Sequence, residues 1–154
     1  MTEQNVANFM VETTDRREIR ELVDNYAFYA DSCEVQKQAD LFTEDIVYTV
    51  DYLDNPEAKQ TIVGKENLLP LFESLTTYHT KTHFNGQTKI TTLAETEATG
   101  VAYCMAHHIS FDENGKQNNM VASIRYDDKY IKQDGKWLFA ERYLTINWVE
   151  NRSF

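Results

Sequence analysis

The sequence predicts an α+β domain in which helices from the first half cover one face of a long antiparallel sheet built by the second half. Two observations carry this. Up to Leu75, apolar residues recur at three- and four-residue spacing, whereas from His79 onward Gly is scarce and the β-formers Thr, Val, Ile and Tyr dominate. The second half is divided by Asn114-Gly115 and Asp134-Gly135, dipeptides that favour the positive φ both residues of a type I′ turn need. Helices first and strands afterwards is the α+β pattern. At 154 residues, with no repeat, low-complexity tract or linker, residues 1–154 read as one domain. A chain of this length buries about two thirds of the surface its unfolded form exposes.

Residues 1–14 are polar and aperiodic apart from Phe9, Met10 and Val11, and read as a loosely tethered arm. Asp15-Arg16-Arg17-Glu18 has the form of a capping box, so a helix is expected to start there. Ile19, Leu22, Val23, Tyr26, Ala27 and Ala30 then form one apolar stripe. Asp31 falls about 120° around the helix from Ile19, at the edge of that stripe. Val35 to Phe42 reads as a second short helix, Ile46 to Val50 as a strand, and Asp51 to Gln60, with Asn55-Pro56, as a loop and candidate lid. Gly64-Lys65-Glu66-Asn67 opens a third helical pattern, with Leu68, Leu69, Leu71, Phe72 and Leu75 apolar and Pro70 in its first turns. Four long strands follow, at about Lys81–Leu93, Ala98–Phe111, Asn118–Gln133 and Lys136–Trp148, the last three forming a meander.

A net charge of −10 repels polyanions, and no Lys/Arg cluster offers phosphates a landing strip, so neither nucleic acid nor an anionic membrane is an expected partner. Cys33 and Cys104 lack CxxC spacing and read as free thiols of a reducing compartment. No secretion signal pattern opens the chain and no apolar run approaches the roughly 20 residues a membrane helix needs, so the expected location is cytoplasmic. Nine Tyr and eight Phe suit a core and an apolar pocket alike.

Candidate site residues are polar groups in apolar settings. Asp31 and His83 are the sharpest pair, because a carboxylate bonded to an imidazole fixes its tautomer and raises its basicity, as a general base requires. The bland alternative is a satisfied core histidine and a solvated helix-end aspartate. His108 closes the small-residue face Ala102, Cys104, Ala106 of its strand. Arg142, placed by strict alternation with Leu138, Ala140, Leu144, Ile146 and Trp148, needs either a carboxylate, Asp128 being nearest, or a substrate oxygen. Tyr26 and Tyr48 are further candidates for a cavity. HExxH, Cys/His ligand spacing, GxSxG, GxGxxG and a phosphate loop are all absent, so no metal, nucleophile or nucleotide site is expected.

Tyr26 and Asp31 at the first helix's end, Thr82-His83-Phe84 opening the sheet, Lys132-Gln133-Asp134-Gly135-Lys136-Trp137 with Phe139, and Arg142 together resemble the SnoaL-like family of the nuclear-transport-factor-2-like superfamily. The resemblance implies a cone-shaped fold, N-terminal helices on a curved, mainly antiparallel sheet. Within it the chain is most similar to scytalone dehydratase and the bile-acid 7α-dehydratases. His83-Phe84 through Gly100 to His108 matches the former without a gap, and Ile146-Asn147-Trp148 resembles its pocket-closing tail. By that resemblance Asp31 orients His83, His83 is the base, and His108 helps the hydroxyl depart. Ala30 and Val50 stand where scytalone dehydratase has two water-holding tyrosines, and Ile124 and Tyr126 replace its pocket Ser and Asn, which argues against scytalone as substrate. Tyr26 and Arg142 instead resemble the bile-acid enzymes.

The resulting expectation is a cofactor-independent dehydratase or isomerase acting on a hydroxylated ring or polycyclic ligand, assembled as a homodimer or homotrimer. The alternatives are a non-catalytic small-molecule binding module and a structural subunit resembling the β subunits of ring-hydroxylating dioxygenases.

Overall fold

The computed structural model describes residues 2–153. Helix α1 (Glu3–Asp31) and the short α2 (Val35–Ala39) lead into strand β1 (Phe42–Tyr52). Then come β2 (Gln60–Val63), α3 (Leu69–Ser74), β3 (Thr80–Leu93), β4 (Glu97–Phe111), β5 (Gln117–Gln133) and β6 (Lys136–Ser153). The sheet order is β2-β1-β6-β5-β4-β3, antiparallel throughout except for the parallel β1–β6 pair. The helices pack on one face, as the α+β reading expects. Among the described residues no helix is long and apolar enough to cross a membrane.

The first helix starts earlier than its apolar stripe. Thr2 caps it, its hydroxyl accepting from the Asn5 amide at 3.3 Å, and residues 3–14 continue it with their side chains exposed. The loose arm expected over residues 1–14 is thus helical from Glu3, while Met1 lies outside the described residues. Asp15 is no cap: it is buried mid-helix, where its Oδ1 accepts from Lys132 Nζ at 2.7 Å and Trp137 Nε1 at 2.9 Å. These bonds pin α1 to the β5–β6 hairpin.

That hairpin turns as expected, Asp134 at φ 49° and Gly135 at φ 77°. At Asn114-Gly115 only Gly115 is left-handed; the loop is longer, with Asp112 accepting from the amides of Asn114, Gly115 and Lys116 through its carboxylate and carbonyl oxygens. Helix α2 stops at Ala39, and β1 begins at Phe42, which the sequence assigned to the helix. The loop expected over Asp51 to Gln60 is shorter, since β1 runs to Tyr52 and β2 begins at Gln60, a strand too short to carry an alternation signal.

Strand β6 departs from strict alternation. Lys129 pairs with Glu141 but Tyr130 with Phe139, and Ser123 pairs with Trp148 but Ile124 with Ile146, leaving Ala140 and Asn147 as extra residues. Each such bulge reverses which side chains face inward. Trp137 and Phe139 are buried, then Arg142, Leu144 and Ile146, while Trp148 turns outward and is 45% exposed. Arg142 therefore does not share its face with Leu138, Ala140 or Trp148, and of Ile146-Asn147-Trp148 only Ile146 is buried on the inner face.

The buried core joins Ile19, Val23 and Tyr26 of α1 to Phe42, Ile46 and Tyr48 of β1, Phe72 of α3 and the inner residues of β4–β6. Helix α1 runs beside β3, one of the two edge strands: Asn85 Nδ2 donates to Asp24 Oδ1 at 3.0 Å, and Arg20 Nη1 to the Gly86 carbonyl at 3.4 Å. This placement brings the helix end to the start of the strand.

Candidate active site

Asp31 closes α1 and His83 lies in the first residues of β3, 52 positions apart, and the structure joins them. Asp31 Oδ1 is 2.7 Å from His83 Nδ1, and Oδ2 accepts from the His83 backbone amide at 2.9 Å. The His83 side chain is only 7% exposed and that of Asp31 28%, in keeping with a position at the edge of the helix's buried stripe. Burial raises the Asp31 pKa, but the bonds from the His83 ring and backbone outweigh it and hold the carboxyl below its ordinary value. An ionised carboxylate only accepts, so Nδ1 carries a hydrogen, and in the neutral form of the ring Nε2 keeps a lone pair.

His108 stands opposite, its Nε2 3.5 Å from His83 Nε2, a loose contact that leaves that lone pair accessible. Its ring stacks on Tyr78 at 4.6 Å between centroids. Burial, helped by the neighbouring His83 and Lys81, pushes its pKa down to about 4, so at neutral pH it is uncharged. Its Nδ1 is buried without a partner among the described residues.

Both histidines line a cavity of about 440 Å³ between sheet and helices. Tyr26, Tyr48, Phe72, Tyr126, Ile124 and Leu144 form much of its wall. A site of this volume, apolar with a few convergent polar groups, suits a small-molecule ligand. The hydroxyls of Tyr26 and Tyr48 are 2.7 Å apart. Burial raises both phenol pKa values, so both stay protonated. Two O–H groups sharing one mutual bond leave one hydrogen to donate elsewhere.

Of the residues singled out from sequence, His83, His108, Tyr26 and Tyr48 line this cavity, Asp31 reaches it only through His83, and Arg142 does not line it. Arg142 lies behind the wall, its guanidinium 4.2 Å and 3.8 Å from the ring centroids of Tyr26 and Tyr126. It donates to both oxygens of Asp128, Nε at 2.9 Å and Nη2 at 3.1 Å, with neither side chain exposed. Burial opposes its charge, but Asp128 and the surrounding tyrosines raise its pKa. This is the ion pair of the structural reading. His79 is exposed, packed on Phe111, and takes no part. Sequence reasoning missed Tyr78, which carries no periodic signal, and Lys81, which is buried on the strand that holds His83. Among the described residues no group of three or more His, Cys, Asp or Glu is arranged to hold a metal ion.

A family model of the SnoaL-like domain matches residues 11–143. The chain belongs to the SnoaL-like family. Solved structures similar to this SnoaL-like protein share its fold. A scytalone dehydratase-like protein from Novosphingobium aromaticivorans has a TM-score of 0.78 at 24% identity, over 92% of this chain and 90% of that one. A type 2 hexachlorocyclohexane dehydrochlorinase, LinA, has a TM-score of 0.78 at 17% identity, over 93% and 92%. The type 3 LinA of Novosphingobium barchaimii has 0.76 at 17%, over 93% of each chain. Comparison with curated proteins finds no match.

Two pH effects are expected in this SnoaL-like protein. The Asp31 pKa is lowered on folding, so its contribution is fully present above the ordinary value of 3.8 and is lost as pH falls through the lowered one. Asp31→Asn should reduce stability at neutral pH and flatten the loss below about 3.8, read from urea midpoints along a pH series. The His108 pKa is also lowered, so stability is complete above 6.5 and declines from 6.5 to about 4 as the unfolded chain takes up the proton. Its imidazole resonances should titrate near 4 in NMR, and a midpoint near 6.5 would contradict the burial described.

Proposed function

We propose that this protein is a cofactor-independent dehydratase or isomerase in which His83 removes a proton from a carbon next to a carbonyl. The observation that carries the reading is the Asp31–His83 contact at 2.7 Å, with the histidine on the wall of an apolar cavity and its second nitrogen facing only His108 Nε2, loosely, at 3.5 Å among the described residues. Asp31 fixes the tautomer and stabilises the imidazolium that forms. The spare hydroxyl hydrogen of the Tyr26–Tyr48 pair is suited to the oxygen on which enolate charge develops. Arg142, behind Tyr26, supports that donor through the ring without reaching the ligand.

For dehydration, the substrate carries a hydroxyl on the carbon beyond the one that loses its proton. The C–H electrons form the enolate, the enolate collapses to the C=C bond, and the C–O bond breaks. The hydroxyl leaves as water with the proton His83 took. Neutral His108, across from His83, can donate to the departing oxygen. The cavity suits a compact ring or small fused-ring ligand with little charge. The likeness to a scytalone dehydratase-like protein and to LinA, a dehydrochlorinase, is consistent with elimination chemistry in this fold.

The test is incubation of the purified protein with a panel of cyclic β-hydroxyketones in deuterated water. The enone product, or deuterium on the carbon next to the carbonyl, is the expected result. A panel member that binds tightly and emerges unconverted and undeuterated would favour a binding module instead.

A further inference from the structure

Beside the Asp31–His83 pair runs a second link between the same two elements. Lys81 Nζ lies 3.1 Å from Cys33 Sγ. Cys33 is two residues beyond Asp31, and Lys81 two before His83, so the contact also joins the end of α1 to the start of β3. Lys81 is only 7% exposed, and the thiol is the hydrogen-bond partner its ammonium finds among the described residues. A buried ammonium ordinarily pairs with a carboxylate. Cys33 is exposed and reachable by a small oxidant, unlike buried Cys104. It occupies the left-handed position after the helix, φ 59°, where glycine is the usual residue.

We propose that Cys33 and Lys81 form a reversible peroxide-driven sulfur–nitrogen cross-link. The Cys33 thiolate attacks one oxygen of hydrogen peroxide, the O–O bond breaks, and the departing hydroxide takes a proton from the Lys81 ammonium and leaves as water, giving a sulfenic acid and a neutral amine. The neutral Lys81 amine attacks that sulfur. The S–O bond breaks, the hydroxyl leaves as water with a proton from nitrogen, and an S–N bond forms. One thiol, one amine and one peroxide thus give one sulfenamide and two waters, the sulfur losing the two electrons that peroxide gains. An external thiol reverses it by attacking sulfur and releasing the amine. The cross-link removes the ammonium charge from beside Asp31 and His108 and fastens the two backbones that carry the acid–base pair. It stands on the Cys33–Lys81 contact and not on the proposed reaction.

The test reads mass rather than turnover. The full chain treated with hydrogen peroxide should become two hydrogens lighter, regain its mass with dithiothreitol, and yield on proteolysis a joined peptide pair containing Cys33 and Lys81. Cys33→Ser should remove the species. Lys81→Arg, whose guanidinium cannot condense in this way, should remove it and leave a sulfenic acid that dimedone labels, as the wild type does not. The peptide map of the wild type decides the matter even if Lys81→Arg folds poorly. A lighter species whose joined peptides contain Cys104 instead of Lys81, or a wild type that takes dimedone as readily as a folded Lys81→Arg, would overturn the proposal.

Discussion

Replacing His83 by alanine is expected to lower the rate of proton abstraction by about 10²–10⁴-fold, the range a positioned general base supplies. The fold should survive, because the lost ring contributes one wall of a cavity and the His83 backbone amide keeps its bond to Asp31. The measurement is kcat/KM on a cyclic β-hydroxyketone of the panel that the wild type is found to convert, with circular dichroism as the check on folding. Asp31→Asn should fall less far, since an amide oxygen still accepts from Nδ1 but no longer stabilises the imidazolium. If His83→Ala retains full activity, His83 is not the base and the chemistry belongs elsewhere in the cavity.

A different kind of loss is expected at the pair behind the cavity wall. Asp128→Ala leaves the Arg142 guanidinium buried among Tyr26, Tyr126 and Phe139 with no carboxylate. Breaking one side of such a pair costs about 3–5 kcal/mol, because an uncompensated charge remains inside. The urea midpoint should drop by roughly 1–5 M, given the usual denaturant sensitivity of small domains. Removing both charges, as in Asp128→Leu with Arg142→Leu, should recover a large part of the loss. A surface-like change of a few tenths of a kcal/mol in Asp128→Ala would mean the arginine has another partner, and a substrate oxygen would then return as its role.

The fold was legible where the signal is local. Asp134-Gly135 produces its turn because both residues adopt positive φ, and the stripe from Ile19 to Ala30 is the buried face of α1. Asp128 and Arg142 face one another directly across β5 and β6, so the nearest carboxylate on the neighbouring strand was the right partner. What stayed hidden depends on contacts between distant segments. Alternation along β6 cannot show that Ala140 and Asn147 are extra residues, since that depends on the register of β5. Asp15 looked like a cap because its spacing to Glu18 is that of one, yet its partners, Lys132 and Trp137, lie more than a hundred residues away. Asp31 and His83 were paired by resemblance and by their polarity in apolar surroundings. Helix geometry alone put the carboxylate at a boundary, and at the boundary it is. Nothing in the spacing marks Lys81 and Cys33, because a lysine on a strand and a cysteine after a helix are each unremarkable until the two elements meet.

The bond from the His83 amide to Asp31 has a consequence for solubility. Strand β3 ends the sheet, and an end strand offers unpaired amides on which another chain can build an extra strand. At His83 that amide is occupied by Asp31 Oδ2, and further along α1 lies over the same margin through Asn85 and the Gly86 carbonyl. The carboxylate that positions the imidazole is therefore also a plug against edge-to-edge aggregation. Asp31→Ala is expected to open a recruitment site as it strips the imidazole of its carboxylate, whereas Asp31→Asn keeps the acceptor and the edge closed. Selection against aggregation would retain an acceptor at this position even in a relative without the histidine.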